Sequence, residues 1–400
     1  MRLAVLLLVA SPLTATADEY HYQGSPVGAR AAAMGGAFAG LASDGSAAFH
    51  NPAGLVLSSG TEVSLSTSVY GIARDDIAGS DAIQAPTFLA FPATFVLVKT
   101  PPWVDKDASP RQRYALSILV TDFTKIARQG LTDTNQELFK ATDTTSYTGL
   151  SYAYRINDQL SIGASAWLVS RAVTRFEQTS QIMPAGFELD RRELEASQLG
   201  LQTFAGALWR ITDYASAGIT LRSPALRFHN SLKLTQFTKR PDAPLDEQST
   251  DQGEYSSHLP VSVVIGGAVR VHPMLLLTAD VSAYAPTGSY EALHTDMMVE
   301  TVDKRALVNG AVGAELVLGQ HVPLRLGFYT DRSARARGDT ATGLATLAPS
   351  YYVMTGSIGY ETERTSITAG MAYQIGHDEA AGYQLSREEI RGWIASSYRL

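Results

Sequence analysis

From about residue 60 to the end of the chain, apolar residues alternate with small or polar ones at a period of two. In the segment RTSITAGMAYQIG, the odd-numbered residues from Ile367 to Ile375 are apolar, and the residues between them are small or polar. The segments LSIGASAWLVS and PLRLGFYT repeat the pattern, with Trp167 as an exception in the first. Because successive side chains of a β-strand point to opposite faces, the alternation predicts strands with one apolar face.

Fourteen segments follow this pattern, which predicts an all-β chain. The predicted strands cover residues 61–71, 86–99, 113–128, 146–156, 159–176, 199–210, 214–234, 259–271, 274–285, 306–317, 322–331, 351–361, 364–375 and 390–400.

The connections between the predicted strands fall into two groups that alternate along the chain. One group consists of tight turns at residues 157–158, 212–213, 272–273, 319–320 and 362–363. The other consists of long polar connections at residues 177–198, 235–258, 286–305 and 332–350. Short turns at one end and long loops at the other are typical of a transmembrane antiparallel β-barrel in a bacterial outer membrane. Residues 100–112 do not fit, because a long connection stands there in place of a short turn.

Other architectures explain these observations less well. A soluble β-sandwich also alternates, but it is not expected to sort its connections by length, and a propeller would show a repeat of about 40 to 50 residues. No segment has the roughly 18 uninterrupted apolar residues of a membrane helix. We therefore predict a barrel of about 14 strands over residues 61–400, with both ends in the periplasm.

The first residues have the layout of a secretory signal peptide. Arg2 precedes the apolar run LAVLLLVA, and Ala15-Thr16-Ala17 forms an A-x-A cleavage site. Residues 1–17 are therefore expected to be removed on export. The chain has no cysteine, so neither a disulfide framework nor a thiolate site is expected.

Residues 18–60 differ from the rest of the chain, because alanine and glycine dominate them. Small residues allow close packing, Gly35 and Gly36 permit tight bends, and Asn51-Pro52 predicts a turn. We expect a short helix at about 31–42 and a compact plug inside the barrel. A loosely ordered tail, or a helix that docks a partner protein outside the barrel, is the alternative.

The stretch GARAAAMGGAFAGLASDGSAAFHNPAGL resembles the N-terminal region of the FadL-type outer-membrane transport family, which ends in an Asn-Pro-Ala motif, here Asn51, Pro52 and Ala53. Later stretches, among them LPVSVVIGGAVRV and LLLTADVSAYAP, resemble successive strands of that family. The resemblance implies a fourteen-stranded barrel closed by an N-terminal hatch. It also implies uptake of long-chain fatty acids or other hydrophobic compounds, with a passage through a kinked wall strand into the membrane.

Several charged residues lie on the polar faces of predicted strands and are expected to point into the lumen, because an Arg or Lys facing lipid at mid-membrane depth costs about 2 to 4 kcal/mol. The candidates for contact with a ligand carboxylate are Arg171, Arg222, Arg270 and Arg325. The alternative is a network of arginines with Asp and Glu that fixes the barrel and the plug.

Asp122 interrupts the apolar face that Leu116, Ile118 and Val120 form. Because bulges bend strands and break their pairing, Asp122 is a candidate for a kink that opens the wall. The alternative is that Asp122 marks the point where the strand leaves the membrane.

The sequence gives little support to other function classes. A formal net charge of -7 argues against nucleic acid, and no catalytic motif of the common hydrolase or nucleotide-binding types is present. No cofactor or metal is expected. The favoured function is passive uptake of a hydrophobic ligand, with outer-membrane lipid and the barrel assembly machinery as further partners. The alternatives are an anchor or shuttle for protein partners and, more weakly, an outer-membrane hydrolase.

Overall fold

The computed structural model describes residues 19–22, 24, 26–58, 60–78, 87–89, 94–101, 111–131, 134–184, 186–241, 246–336, 347–380 and 383–400. The predicted signal peptide and most of the connection at 100–112 lie outside these residues. None of the helices in the described ranges is long and apolar enough to cross a membrane.

Two short α-helices and one 3₁₀ helix precede the strands. They are α1 (Ala29–Ala33), α2 (Ala47–His50) and the 3₁₀ helix Pro52–Leu57. The strands are β1 (Glu62–Ala78), β2 (Thr87–Leu89), β3 (Thr94–Lys99), β4 (Gln112–Leu131), β5 (Asn135–Arg155), β6 (Leu160–Met183), β7 (Gly186–Arg210), β8 (Ala215–Arg222), β9 (Leu226–Lys239), β10 (Glu247–Tyr255), β11 (Ser262–His272), β12 (Leu275–Tyr284), β13 (Gly288–His294), β14 (Val299–Lys304), β15 (Leu307–Leu318), β16 (Val322–Asp331), β17 (Ser350–Glu361), β18 (Thr365–Ala380) and β19 (Tyr383–Arg399).

Neighbouring strands pair antiparallel around the whole sheet, and β1 pairs with β19, so the sheet closes into a barrel. Within the described ranges the wall has fourteen strands, because β2 with β3, β8 with β9, and β10 with β11 each occupy one place in the wall. The hairpin of β13 and β14 stands apart, since β12 pairs directly with β15. The predicted fold class is confirmed.

The two faces of the wall follow the alternation in the sequence. Along β6, Ile162 and Leu168 are exposed on the outer face, whereas Ser165, Trp167 and Val169 are buried on the inner face. Trp167, the exception to the sequence pattern, therefore belongs to the interior. An apolar outer face matches a hydrocarbon environment, and a mixed inner face matches a filled lumen.

The five tight turns are confirmed, but the long connections are not loops throughout. Strands β6 and β7 continue to Met183 and from Gly186, within the predicted loop 177–198. In the same way, β9 and β10 extend into 235–258, and the hairpin β13–β14 lies within 286–305. The sequence pattern missed these extensions because a strand with polar side chains on both faces has no apolar alternation to reveal it.

The predicted strand 214–234 is interrupted at residues 223–225, between β8 and β9. Pro224 lies in this interruption and has no backbone N–H for a ladder hydrogen bond. The wall therefore changes its pairing in the middle of a strand that alternation alone presents as continuous.

The predicted helix at 31–42 is also shorter than expected. It ends at Ala33, and Gly35 and Gly36 follow with φ of 66° and 77°, a left-handed conformation that glycine adopts without a steric penalty. The N-terminal segment, which we define as residues 19–58, thus bends back on itself. Its buried Phe38 and Leu55 form one apolar cluster with Trp167 and Phe204 of the wall.

Candidate functional site

Asn51 connects the N-terminal segment to itself and to the wall. Its side-chain Nδ2 donates hydrogen bonds to the carbonyl oxygens of Ala39 at 2.9 Å and Ala207 at 3.0 Å. Its Oδ1 accepts from the amide of Ala53 at 3.2 Å and thereby caps the 3₁₀ helix that begins at Pro52. An amide side chain can donate and accept at once, so residue 51 joins two turns of the segment to β7.

Glycines on the inner face of the wall make room for this segment. A Cβ on Gly163 would lie 2.5 Å from the backbone nitrogen of Ala53, and a Cβ on Gly206 would overlap the side-chain oxygen of Asn51. Opposite, α1 packs against β16 to β19, where a Cβ on Gly327 would overlap the backbone of Gly35. Backbone therefore meets backbone on both sides of the lumen.

Asp280 of β12 holds the middle of the segment. Its Oδ2 accepts hydrogen bonds from the backbone amides of Phe38 and Ala39, both at 2.8 Å. The side chain is 5% exposed, and a buried carboxylate needs such donors to compensate for the lost water.

Arg325 lies in an ion-pair network with the N-terminal segment. Its Nε is 2.7 Å from Glu315, and its Nη2 is 2.6 Å from Glu361. Arg30 of α1 reaches the same Glu315 at 2.6 Å. The surroundings of Arg325 thus match the alternative given for the lumen arginines, a network with acidic residues that fixes the N-terminal segment to the barrel.

Arg171 lies in a second network, at the other end of the segment. It pairs with Asp143 and, at 2.9 Å, with Glu19, which also lies 3.1 Å from the ammonium group of Lys304. Burial acts to raise the pKa of Glu19, but the charges of Arg171 and Lys304 outweigh it and lower the pKa to about 2. Glu19 is therefore an ionised carboxylate buried between two cations.

A cavity remains between the N-terminal segment and the wall. Part of its lining is apolar, with Phe49, Tyr147 and Leu259, and part is polar, with Arg222, Asp280 and Gln198. The rings of Phe49 and Tyr147 meet edge to face at a centroid distance of 5.5 Å. A cavity with an apolar lining and a few polar groups is the usual form of a small-molecule site.

Arg222 differs from Arg171 and Arg325, which both pair with carboxylates. Its guanidinium lies 4.8 Å from the ring centroids of Phe49 and Phe204. Its Nε is buried without a hydrogen-bond partner, and its Nη2 makes one long bond, 3.4 Å, to the carbonyl of Phe49. Among the described residues no carboxylate forms an ion pair with it. Arg222 therefore has donors available to a ligand.

Arg270 is placed away from this cavity. It is exposed at the end of β11 and its Nη1 donates to the carbonyl of Pro273 at 3.3 Å in the adjacent turn. Because β11 ends at His272, the side chain of Arg270 meets solvent at the end of the strand. The structure thus gives Arg270 no contact with the cavity.

Asp122 lies at an irregularity of the wall. The pairing of β4 with β5 shifts register between Val120 and Asp122, which leaves Thr121 as an extra residue. A second cavity lies behind this bulge, and Pro26, Thr121 and Asp122 line both cavities. A Cβ on Gly24 would be 2.9 Å from the carbonyl oxygen of Thr121, so the N-terminal segment covers the bulge from inside.

Sequence reasoning missed the roles of Glu19 and Phe49. Glu19 is the second residue after the predicted cleavage site, next to Asp18, and nothing in the sequence around it distinguishes it from a solvated terminal charge. Phe49 had an indirect signal, because Trp167 breaks the alternation of β6 and indicates an aromatic cluster inside the barrel.

Solved structures with the same architecture include two toluene transporters and a FadL homologue. The Pseudomonas putida toluene transporter TodX aligns with a TM-score of 0.71 and 13% identity, over 96% of this chain and 100% of that one. A Pseudomonas aeruginosa FadL homologue aligns with a TM-score of 0.69 and 15% identity, over 95% and 99%. The Ralstonia pickettii toluene transporter TbuX aligns with a TM-score of 0.66 and 14% identity, over 94% and 99%. No protein-family model and no curated protein sequence matches the chain.

The fold and the site define a class of protein: a closed fourteen-stranded barrel whose own N-terminal segment is packed into the lumen beside a cavity. This is the FadL-type fold, and its extent agrees with the resemblance seen in the sequence.

Proposed function

We propose that this protein is an outer-membrane channel for the passive uptake of hydrophobic small molecules, and that long-chain fatty acids are among its ligands. The observation that carries the proposal is the cavity, in which the aromatic groups Phe49 and Tyr147 lie beside the guanidinium of Arg222. An apolar body buries its surface against the rings at about 25 cal/mol per Å², and a carboxylate accepts charge-assisted hydrogen bonds from the arginine. The toluene transporters with the same fold support the apolar part of this ligand class.

The arrangement of the two cavities supports a route. The ligand binds in the larger cavity, the N-terminal segment shifts near Gly24 and Pro26, and the ligand reaches the second cavity behind the bulge at Thr121. From there it leaves through the wall beside Asp122 into the membrane, as the resemblance implies. Transfer is driven by the ligand's own concentration gradient. Outer-membrane lipid and the barrel assembly machinery remain part of the same proposal.

Binding to the purified protein tests this function. Isothermal titration with naphthalene and with dodecanoate should show saturable binding of both. Val169 lines the cavity, so Val169→Trp places a larger side chain in it. The affinity for both ligands should fall at least about tenfold, because overpacking displaces the neighbouring side chains. Val308→Trp, on the exposed outer face, is the matched control and should bind like the parent protein.

Mass spectrometry of lipids retained through purification gives an independent measurement. Fatty acids or hydrocarbons in stoichiometric amount support uptake. A protein partner in stoichiometric amount with neither probe bound would instead favour the anchor or shuttle function.

A further inference from the structure

The wall is discontinuous at a second place, far along the chain from the bulge at Asp122. Strand β8 pairs with β11 as far as Arg222 and Ser262, and β9 pairs with β10 from Leu232 and Gly253 onwards. Among the described residues, no ladder pair joins residues 223–231 to residues 254–261. These two stretches are the edges of a break in the barrel wall.

The local sequence explains the break. Pro224 cannot donate a ladder hydrogen bond, and the pairing of β7 with β9 shifts register between Leu199 and Gly200, which places Phe228 in a bulge. On the other edge, Glu254 and Tyr255 turn away to pair with β13. Each edge therefore lacks a ladder partner across the break because of its own local structure.

The outer side of the break is apolar. Leu226 is 67% exposed and Phe228 is 61% exposed on one edge, and Val261 is 50% exposed on the other. Large apolar side chains at such exposure are expected where the surface faces hydrocarbon. Leu226, Phe228 and Val261 thus form an apolar rim that faces the membrane.

The inner side of the break belongs to the ligand cavity. Ala225 of one edge and Ser257 and Leu259 of the other line that cavity together with Arg222. The same two stretches of chain therefore form the rim on the outside and the cavity wall on the inside.

The height of the break places it at the outer leaflet. The aromatic residues Trp209 and Tyr214, both exposed, mark the inner edge of the apolar band beside the turn before β8. A rise of about 3.3 Å per residue and a tilt of about 40° give about 2.5 Å per residue along the membrane normal. Leu226 then lies about 28 Å above Ala215, at the outer edge of an apolar band about 25 Å tall.

Side chains span the break where backbone pairing is missing. Gln198 of β7 exchanges two hydrogen bonds with the backbone of Ser257, at 2.7 Å and 3.0 Å, and Arg227 donates to the hydroxyl of Ser256. A few side-chain contacts separate more readily than a continuous ladder, because each breaks without disturbing the next. Arg227 is exposed at the rim, where a cation favours an anionic head group.

We propose that this break is a lateral portal through which single-chain amphiphiles pass from the outer leaflet into the cavity. The head group moves from Arg227 at the rim to Arg222 in the cavity, while the chain slides between Leu226, Phe228 and Val261. This portal rests on the proposed function, since it supplies the cavity with the ligand class assigned there. It is separate from the route at Asp122, which lies on β4 and leads out of the second cavity.

A crosslink across the portal tests the proposal. The chain has no cysteine of its own, so R227C with S256C places one thiol on each edge, and a short bifunctional maleimide joins them. The control pair I219C with I265C lies on directly paired, exposed positions of β8 and β11, where a crosslink closes nothing.

The measurement is the rate at which dansyl-labelled undecanoate, already dissolved in the lipid of a nanodisc, binds the embedded protein. Energy transfer from tryptophan to dansyl reports binding, since Trp167 packs against Phe49 beside the cavity. The portal crosslink should slow binding at least about tenfold, as expected when access requires a blocked conformational step, and the control crosslink should leave the rate within about twofold.

The variant Gln198→Leu is a second test, in which the binding rate is expected to increase. It removes the two hydrogen bonds to Ser257 and should speed binding from the lipid. An unchanged rate in the crosslinked portal variant, with normal binding by the control, would overturn the portal and leave the proposed function intact. Absence of binding in the uncrosslinked protein would overturn both.

Discussion

Gly218 of the wall strand β8 lies directly against the carbonyl oxygen of Ala39 in the N-terminal segment, so that a Cβ on residue 218 would overlap that oxygen. The same carbonyl accepts the hydrogen bond from Asn51. A hydrogen atom in place of a side chain thus allows the wall and the lumen segment to meet at backbone distance, and this contact sets the depth at which the segment lies.

Gly218→Ala should loosen the N-terminal segment without unfolding the barrel. Overpacking of this kind costs about 1 to 3 kcal/mol, and the segment can move, whereas the closed wall cannot. We expect faster proteolysis between residues 26 and 58 and a lower midpoint of thermal unfolding. Gly310→Ala is the control, because a Cβ there meets nothing within 4 Å. Equal protease resistance of the two variants would contradict the expectation.

Arg222→Met should separate the two ligand classes. Loss of charge-assisted hydrogen bonds costs about 1.5 to 3 kcal/mol, so the affinity for dodecanoate should fall by about tenfold or more. The affinity for naphthalene should change little, because methionine is an apolar side chain of similar length beside the ring of Phe49. Titration calorimetry measures both. Arg270→Met is the control, because Arg270 is exposed at the end of β11, and it should leave both affinities unchanged. If Arg222→Met lowers the affinity for both ligands equally, Arg222 does not bind the ligand carboxylate.

The ion pairs of Glu19 should make the packing of the N-terminal segment against the wall less stable in acid. The pKa of Glu19 is lowered from 4.5 to about 2, so the ionised carboxylate stabilises the folded arrangement above pH 4.5. That contribution is lost as the pH falls from 4.5 towards 2. Hydrogen exchange of the peptide that contains Glu19, corrected for the intrinsic rate at each pH, should accelerate over this range.

Glu19→Gln should show accelerated exchange already at neutral pH. It leaves Arg171 and Lys304 without the shared carboxylate, and breaking a buried ion pair costs about 3 to 5 kcal/mol. Glu291→Gln is the control, since the carboxylate of Glu291 is exposed and pairs with His294 at the surface. If the parent peptide exchanges at the same corrected rate from neutral to acid pH, the ion pairs do not hold the segment.

Deletion of Thr121 should close the route beside Asp122. Removal of the extra residue restores the pairing register of β4 with β5 and straightens the strand, because a bulge bends it. We expect unchanged binding of dodecanoate to the purified protein but slower delivery from the protein into acceptor vesicles. Deletion of one residue from the tight turn at 157–158, where pairing of β5 with β6 begins, is the control for a local change of register. Unchanged delivery would exclude this route.

Local features of the chain were predictable because covalent geometry fixes them. The period of two identified the inner and outer faces of β6, β16 and β18, and the turn residues identified the end at which strands reverse closely. Asp122 could be singled out because it interrupts that period. The extension of β6 from residue 177 to Met183 and the end of β8 before Pro224 were not recognised, since polar strands and broken strands leave no clear period.

The sequence by itself determined that this chain forms a barrel with an apolar outside, a mixed inside and a small-residue segment ahead of the first strand. Only the tertiary structure decided which arginine remains available to a ligand. Arg171 pairs with Glu19, which is more than a hundred residues away in the sequence, and Arg325 pairs with Glu315 of the neighbouring strand. Charge type and face are properties of one strand, whereas neutralisation depends on which distant residues the closed barrel brings within hydrogen-bond distance.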